Sequence, residues 1–487
     1  MTARPDTHPF TADQSTALLR RASSQWDADI VPQLIEYVKL PAKSPAFEAD
    51  WRRAGQIERA IEQARRFVAA QPVANMTLEV ITLEGRTPVL FFDIPGTGAK
   101  ASGKSVLLYG HLDKQPEMAG WREDGGPWTP ILEDGKLYGR GGADDGYAVF
   151  ATMAAVLALD AEGIARPRCI GLIETCEESG SYDLPPYLDL LAPRMGDVGL
   201  VIALDSGAGN YEQLWATTSL RGLVNGVMTV RMLTEGVHSG DAGGVVPSTF
   251  RVARQLLDRI DDAATGATRS PVFASAIPDE RIVQARQAAD ILGDVVWQRF
   301  PWQSCGGAHE FTLPTSKDPV ELILNRTWRA SLSVTGADGL PSCRDAGNVL
   351  RPFTALKLSL RIPPTVDGSV AAAEVKRLVE HETPYHAQVS FVADSAATGW
   401  NAPAFAPWLT VALDCASMHY FGRPAAYLGE GGTIPFMGML GAKFPAAQML
   451  VTGVLGPKAN AHGPNEFLHI DYAKKVTAAT AMVIAAL

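Results

Sequence analysis

The sequence predicts an α/β domain, its sheet covered on both faces, split by a smaller inserted α+β domain. Three observations carry this. Short, almost continuously apolar runs alternate with helical patterns over 1–218, a different rhythm occupies 219–395, and the first rhythm returns over 396–487. The length agrees, since 487 residues hold two large domains without repeats or low-complexity tracts.

Residues 1–25 read as a polar leader. Apolar residues at helical spacing then predict helices over Trp26–Val38 and Gly55–Ala70. Strands follow at Thr77–Thr82, Val89–Phe92, Ser105–Tyr109, Cys169–Glu174 and Leu200–Leu204, with Ala148–Leu159 a buried helix between two of them. From residue 222 the order becomes strand Leu223–Met232, helix Pro247–Ile260, strands Ala330–Val334 and Ala355–Ile362, helix Val370–His381 and strand Ala387–Val392. That is the β-α-β-β-α-β, ferredoxin-like plan. A long insertion, 265–325, interrupts it with a helix expected around Glu280–Gln298. After Asn401 come helices near Ala406–Tyr420 and Asp471–Leu487.

Composition narrows the function classes. Lys plus Arg number 43 against 53 Asp plus Glu, a net charge of −10 with the signs interspersed, which argues against a nucleic-acid-coating surface. The five cysteines (Cys169, Cys176, Cys305, Cys343, Cys415) are scattered and lack a CxxC pair, so a reducing cytoplasm is expected rather than a disulfide framework. MTARPDTHPFTADQ carries no apolar core of a secretory signal, and Ala148–Leu159 is too short to span a bilayer. No membrane partner is expected.

Chemistry-bearing residues gather where strands end. Tyr109-Gly110-His111-Leu112-Asp113 leaves an apolar strand, so His111 and Asp113 project to the same side at the edge where α/β sheets bind ligands. They suit a metal ligand and the group that orients it, although a solvated loop histidine reads the same way in isolation. Gly139-Arg140-Gly141-Gly142-Ala143-Asp144-Asp145-Gly146 opens the buried helix; two acids there exclude a phosphate loop and leave either a ligand or an N-cap. Ile173-Glu174-Thr175-Cys176-Glu177-Glu178 places adjacent glutamates beyond a strand, an arrangement that makes sense beside a cation. Asp205 follows another apolar strand, and His462 lies in the polar loop Asn460–Glu466. Together these donors can complete a pair of sites of mixed nitrogen and oxygen character.

In this order the motifs GHLDKQP, LYGRGGADDG, EESGS, the Asp after VIAL, VHSGDAGG, GEGGTIP and AHGPNE resemble the M20 family of di-metal peptidases, in particular its cytosolic dipeptidase and carnosine-dipeptidase branch. The resemblance runs from about residue 27 onward. It implies a di-zinc peptidase-type catalytic domain with an inserted lid and dimerisation domain, and two divalent ions per subunit, Zn or Mn with Co possible. His111 and Asp205 would hold one ion, Glu178 and His462 the other, and Asp144 would bridge them. Asp113 would tune His111, and Glu177 would be the general base, later returning its proton to the leaving amine. A cis peptide is expected at Asp144–Asp145, with Asp145 supporting the site or capping a helix. His238 would reach the partner's active site in a homodimer and stabilise the oxyanion, Arg351 would grip a substrate carboxylate, and Gly432 and Thr433 would contact substrate. The implied reaction is hydrolysis of dipeptides or short peptides, with an N-acyl-amino-acid amidohydrolase or carboxypeptidase as the alternative. Lys114, Trp121, Trp128 and the 265–325 insertion exceed the pattern; Lys114 is expected as a cation beside the His111–Asp113 pair. The remaining histidines (His8, His309, His381, His386, His419, His469) have no motif around them and read as surface or core residues.

Overall fold

The computed structural model describes residues 10–304 and 311–487, so Cys305, His8 and His309 lie outside the described residues. The chain forms two compact units: Met1–Thr217 with Ala402–Leu428 and Met439–Leu487, and Thr218–Asn401 with Gly429–Gly438.

The first unit is built on a six-stranded sheet. Its spatial order is Thr77–Ile81, Val89–Ile94, Cys169–Glu174, Ser105–His111, Val198–Ala203 and Gln448–Val451. The last four strands are mutually parallel, and the first two join antiparallel, giving a mixed sheet. Ser105–His111, Cys169–Glu174 and Val198–Ala203 are buried at every residue. Because alternate side chains face opposite sides, burial throughout means that both faces are covered, which is why these strands lack polar alternation. The strand Gln448–Val451 is too short and too close to the preceding helix to stand out in the sequence.

Helices Ala12–Gln25, Tyr147–Ala161, Pro407–Phe421 and Ile470–Ala486 pack on one another. The expected polar leader is in fact a helix from Ala12. Thr11 and Gln14 form a reciprocal capping box, and only Ser15, Leu18 and Ala22 are buried, a seam too narrow to stand out in a polar stretch. Gly142–Ala161 is apolar and long enough to cross a membrane, but 94% of its most apolar window is buried inside the protein, as befits a core helix.

The second unit holds a four-stranded antiparallel sheet ordered Ser331–Asp338, Phe353–Ile362, Gly222–Arg231, Gln388–Ala397. Helices Thr249–Leu257 and Gly368–Glu380 bury Val252, Leu256, Val375 and Val379 against Met228, Val230, Leu358 and Phe391. The chain order is the β-α-β-β-α-β plan. Within the insertion the expected single helix is two, Asp279–Leu292 and Val295–Gln298, because Gly293 takes φ +51° and ends the first. A further helix, Pro319–Thr327, starts on the side-chain cap of Asp318.

Candidate metal centre

The first unit brings seven of the expected residues together at the carboxyl ends of its parallel strands. His111 is the last residue of Ser105–His111; Glu177 and Glu178 follow Cys169–Glu174; Asp205 follows Val198–Ala203. Asp144 lies in the irregular turn Gly142–Gly146, and His462 in the loop before the last helix. His111 Nε2 faces Asp144 Oδ1 at 3.4 Å, Asp205 Oδ2 at 3.8 Å and Glu177 Oε2 at 3.9 Å. The other oxygen of Asp144 lies 2.9 Å from His462 Nε2, which is 3.3 Å from Glu178 Oε2. Two donor trios result, His111–Asp144–Asp205 and Asp144–Glu178–His462, with ligand atoms in each within 4.8 Å of one another.

Asp113 does more than the sequence suggests. His111 Nδ1 lies 3.1 Å from its main-chain oxygen and 3.5 Å from its carboxylate. That carboxylate also accepts the backbone N–H groups of Glu177 (3.1 Å) and Glu178 (2.9 Å), so one side chain orients the imidazole and the turn bearing both glutamates. Gln115 Nε2 donates to Glu178 Oε2 at 2.6 Å.

The Gly-rich loop is shaped by close approaches. A Cβ on Gly146 would sit 2.0 Å from Tyr37 Cε1, and Gly141, at φ +81°, lies against the stem of Lys114. The peptide Asp144–Asp145 is cis, as expected. Asp145 is fully buried and its Oδ2 accepts the His111 backbone N–H at 3.4 Å; it caps no helix. Lys114 departs from its expected place. Its buried ammonium turns onto the carbonyls of Tyr37 (2.8 Å) and Leu40 (2.9 Å) at the end of helix Val31–Val38, over the Tyr37 ring.

A second buried pair was not anticipated. Arg140 Nη1 donates to Glu466 Oε2 at 2.6 Å with both side chains inaccessible. Arg140 also donates to the carbonyls of His462 (2.9 Å) and Gly463 (3.0 Å), and Glu466 accepts the Gly141 N–H (2.9 Å). The loop carrying Asp144 is thereby tied to the loop carrying His462. Both residues sit inside the quoted motifs; nothing but their presence there could have pointed to the pairing.

Charge crowding marks the cluster. Burial and then the charge of Asp144 push Asp205 up to about 7 and Glu178 up to about 8. Burial and then Asp205 raise Glu177 well above the carboxylate range. For Asp144 burial acts upward, but the His111 and His462 imidazoles hold it far below its ordinary value. Burial would lower His462, yet Glu178 and Asp144 lift it to about 9. Five carboxylates around two imidazoles form a site that suits cations. The donor set fits divalent ions on a second count: His111 Nε2 is buried and has no hydrogen-bond partner.

The other expected site residues belong to the second unit. His238 is exposed at the end of the strand Val237–His238, its Nδ1 accepting the Gly240 N–H at 3.1 Å. Arg351 donates from Nε to the Gly339 carbonyl at 3.0 Å. Gly432 has open space where a Cβ would be. Thr433 is already engaged, its hydroxyl donating to the Arg221 carbonyl (2.6 Å) and accepting from Arg361 Nη1 (2.9 Å).

Two donor trios sharing one aspartate, set at the carboxyl edge of an α/β sheet, define a candidate two-ion centre of the kind hydrolases use. Comparison with known proteins agrees. Residues 107–486 match peptidase family M20/M25/M40, and with most of its length so matched this chain belongs to that family and is a hydrolase. It is 26% identical over 373 residues to the cysteinylglycine-S-conjugate dipeptidase of Corynebacterium striatum, covering 74% of this chain and 76% of that one. It is 25% identical over 364 residues to the Beta-Ala-His dipeptidase of Homo sapiens, covering 72% and 68%. In fold it is similar to the solved structure of the dipeptidase Dug1p from Saccharomyces cerevisiae, with a TM-score of 0.77 and 19% identity over 98% of this chain and 99% of that one.

Proposed function

We propose that this protein is a metal-dependent dipeptidase. His111 and Asp205 would hold one divalent ion, Glu178 and His462 the other, with Asp144, common to both donor trios, contributing to each. Zn or Mn is the native metal, with Co an acceptable substitute, because mixed imidazole and carboxylate donors suit all three. When bound, the ion pair supplies Lewis acidity toward the scissile carbonyl and the attacking water. The observation that carries the reading is the position of Glu177. It is buried, 3.9 Å from His111 Nε2, yet belongs to neither donor trio, which leaves its carboxylate free to take and return a proton.

Asp113 fixes the His111 ring and the turn that aims Glu177. His238 acts as oxyanion donor in the partner subunit of a homodimer formed through the second unit; its exposure suits that role. Arg351 grips the substrate carboxylate with the guanidinium nitrogens beyond Nε, while Gly432 and Thr433 offer backbone contacts to the peptide. A cytoplasmic location is supported by Cys169, Cys176 and Cys343, which form no disulfide among the described residues.

The test is a chelator-stripped preparation assayed for amine release from free dipeptides and from N-acylated amino acids, with and without added Zn or Mn. Metal-restored hydrolysis confined to free dipeptides is expected; activity confined to N-acyl substrates would move the protein to the amidohydrolase alternative. Glu177→Gln should lower kcat about 10²–10⁴-fold while both ions still bind. Retained turnover would remove Glu177 as the base.

A further inference from the structure

A buried carboxyl group that the reaction does not consume lies next to the turn bearing Glu177 and Glu178. Glu174 ends the strand Cys169–Glu174, in register with His111 of the neighbouring parallel strand, so the two side chains share one face of the sheet. Tyr109, two residues before His111, projects to that same face. Glu174 is 1% exposed. Its Oε1 accepts two hydroxyls, Tyr109 Oη at 2.5 Å and Ser181 Oγ at 2.9 Å. Its Oε2 is equally buried but has no hydrogen-bond partner among the described residues.

The turn itself is held at three points. At its start Asp113 takes the amides of Glu177 and Glu178. In its middle Ser179 Oγ lies 2.5 Å from Ser44 Oγ and accepts the Ala46 N–H at 2.9 Å, toward solvent. At its end Gly180 and Ser181 follow one another at φ +89° and +52°, and the Ser181 N–H returns to the Cys176 carbonyl at 2.9 Å, which closes the loop around both glutamates. The left-handed region disfavours a serine, so a bond from outside the turn must select it. Ser181 is fully buried, and its hydroxyl reaches Glu174.

We propose that Glu174 is a positioning residue: its Oε1, tied to the sheet by Tyr109, holds Ser181 and thereby closes the turn that aims Glu177. The effect on turnover rests on the dipeptidase reading above, whereas the effect on the turn does not. Because Oε2 makes no bond, the role belongs to the acceptor at Oε1 alone, and an amide can replace the carboxylate. Displacing a reacting group by about 1 Å can cost about 10²-fold in rate.

E174Q, E174M and S181G would be compared with wild type. Methionine is similar in length but offers no comparable acceptor. Glycine takes φ +52° freely and deletes only the Ser181 hydroxymethyl group, so S181G keeps the test open if E174M misfolds. In zinc-loaded protein of equal metal content, E174M and S181G should lose about 10–100-fold in kcat on a free dipeptide, with KM within about 3-fold. E174Q should stay within about 3-fold of wild type in both. In metal-free protein the amides of residues 177–180 should exchange hydrogen at least about 10-fold faster in E174M and S181G, and unchanged in E174Q. A purely structural role would lower the Tm of E174M and leave its kcat intact. That result, an E174Q as impaired as E174M, or a loss confined to KM would each overturn the assignment. If wild-type protein hydrolyses no dipeptide, the dipeptidase reading fails and hydrogen exchange decides. Faster exchange in E174M and S181G alone upholds the hold on the turn, and equal exchange in all four proteins overturns it.

Discussion

Replacing Glu466 with alanine tests whether the Arg140–Glu466 pair holds the metal loops together. The substitution strands a guanidinium that is 1% exposed and removes the acceptor of the Gly141 N–H. Breaking a buried ion pair on one side costs about 3–5 kcal/mol, and an unsatisfied buried N–H adds about 1–3 kcal/mol. A loss near 5 kcal/mol corresponds to a Tm lower by roughly 8 °C for a unit of this size. The second consequence is local. Arg140 also grips the His462 carbonyl, so once freed from Glu466 it no longer anchors that loop. Metal content, measured after dialysis against a chelator buffer, should fall from two ions per chain toward one. The ion of the His111–Asp144–Asp205 trio should remain. Glu466→Gln, which keeps an acceptor for Gly141, should lose less stability than the alanine variant. A Glu466→Ala protein that melts within 2 °C of wild type and still holds two ions would refute this account.

Other expectations can be checked in parallel. Asp113→Ala removes the acceptor shared by the Glu177 and Glu178 amides and the orienter of His111, and should weaken metal binding about 10–100-fold in a competition titration. Lys114→Met removes the ammonium's bonds to the carbonyls of Tyr37 and Leu40, each of which keeps a backbone donor, and should cost about 1–3 kcal/mol, read from urea unfolding. In the metal-free protein His462, Glu178 and Asp205 all titrate higher than in the unfolded chain. The stability held by His462 is therefore complete below about pH 6.5 and lost as the pH rises through about 9; that held by the two carboxyls is complete below about pH 4 and lost through about 7–8. The metal-free Tm should accordingly fall between pH 6 and 9, while zinc-loaded protein keeps its Tm over the same range and releases protons on loading. A metal-free Tm that rises across that window would contradict the sign.

Much of the centre was legible because its donors sit at the ends of apolar strands, where a short motif carries both the element and the side chain's direction. His111, Glu177, Glu178 and Asp205 could each be placed that way, whereas Asp144 and His462 stood out through the loop motifs that hold them. What the chain hid are pairings between distant segments. Nothing near Arg140 announces Glu466, and nothing near Lys114 announces the carbonyls at the end of Val31–Val38. The helix Ala12–Gln25 escaped because its buried seam is three small or medium side chains in a polar stretch.

The spacing of the donors along the chain has a consequence for biosynthesis. His111, Asp144 and Asp205 all lie within residues 111–205, whereas the second trio waits for His462, which follows the inserted unit. A nascent chain still on the ribosome therefore has the first set of donors before the inserted unit is synthesised. The second set is complete only once residue 462 has been made, after the whole inserted unit. On the reading proposed above, a polypeptide truncated before His462 would keep the donors for one ion and lack those for its neighbour. Loading of the second ion would thus report that the chain had been made past the inserted unit.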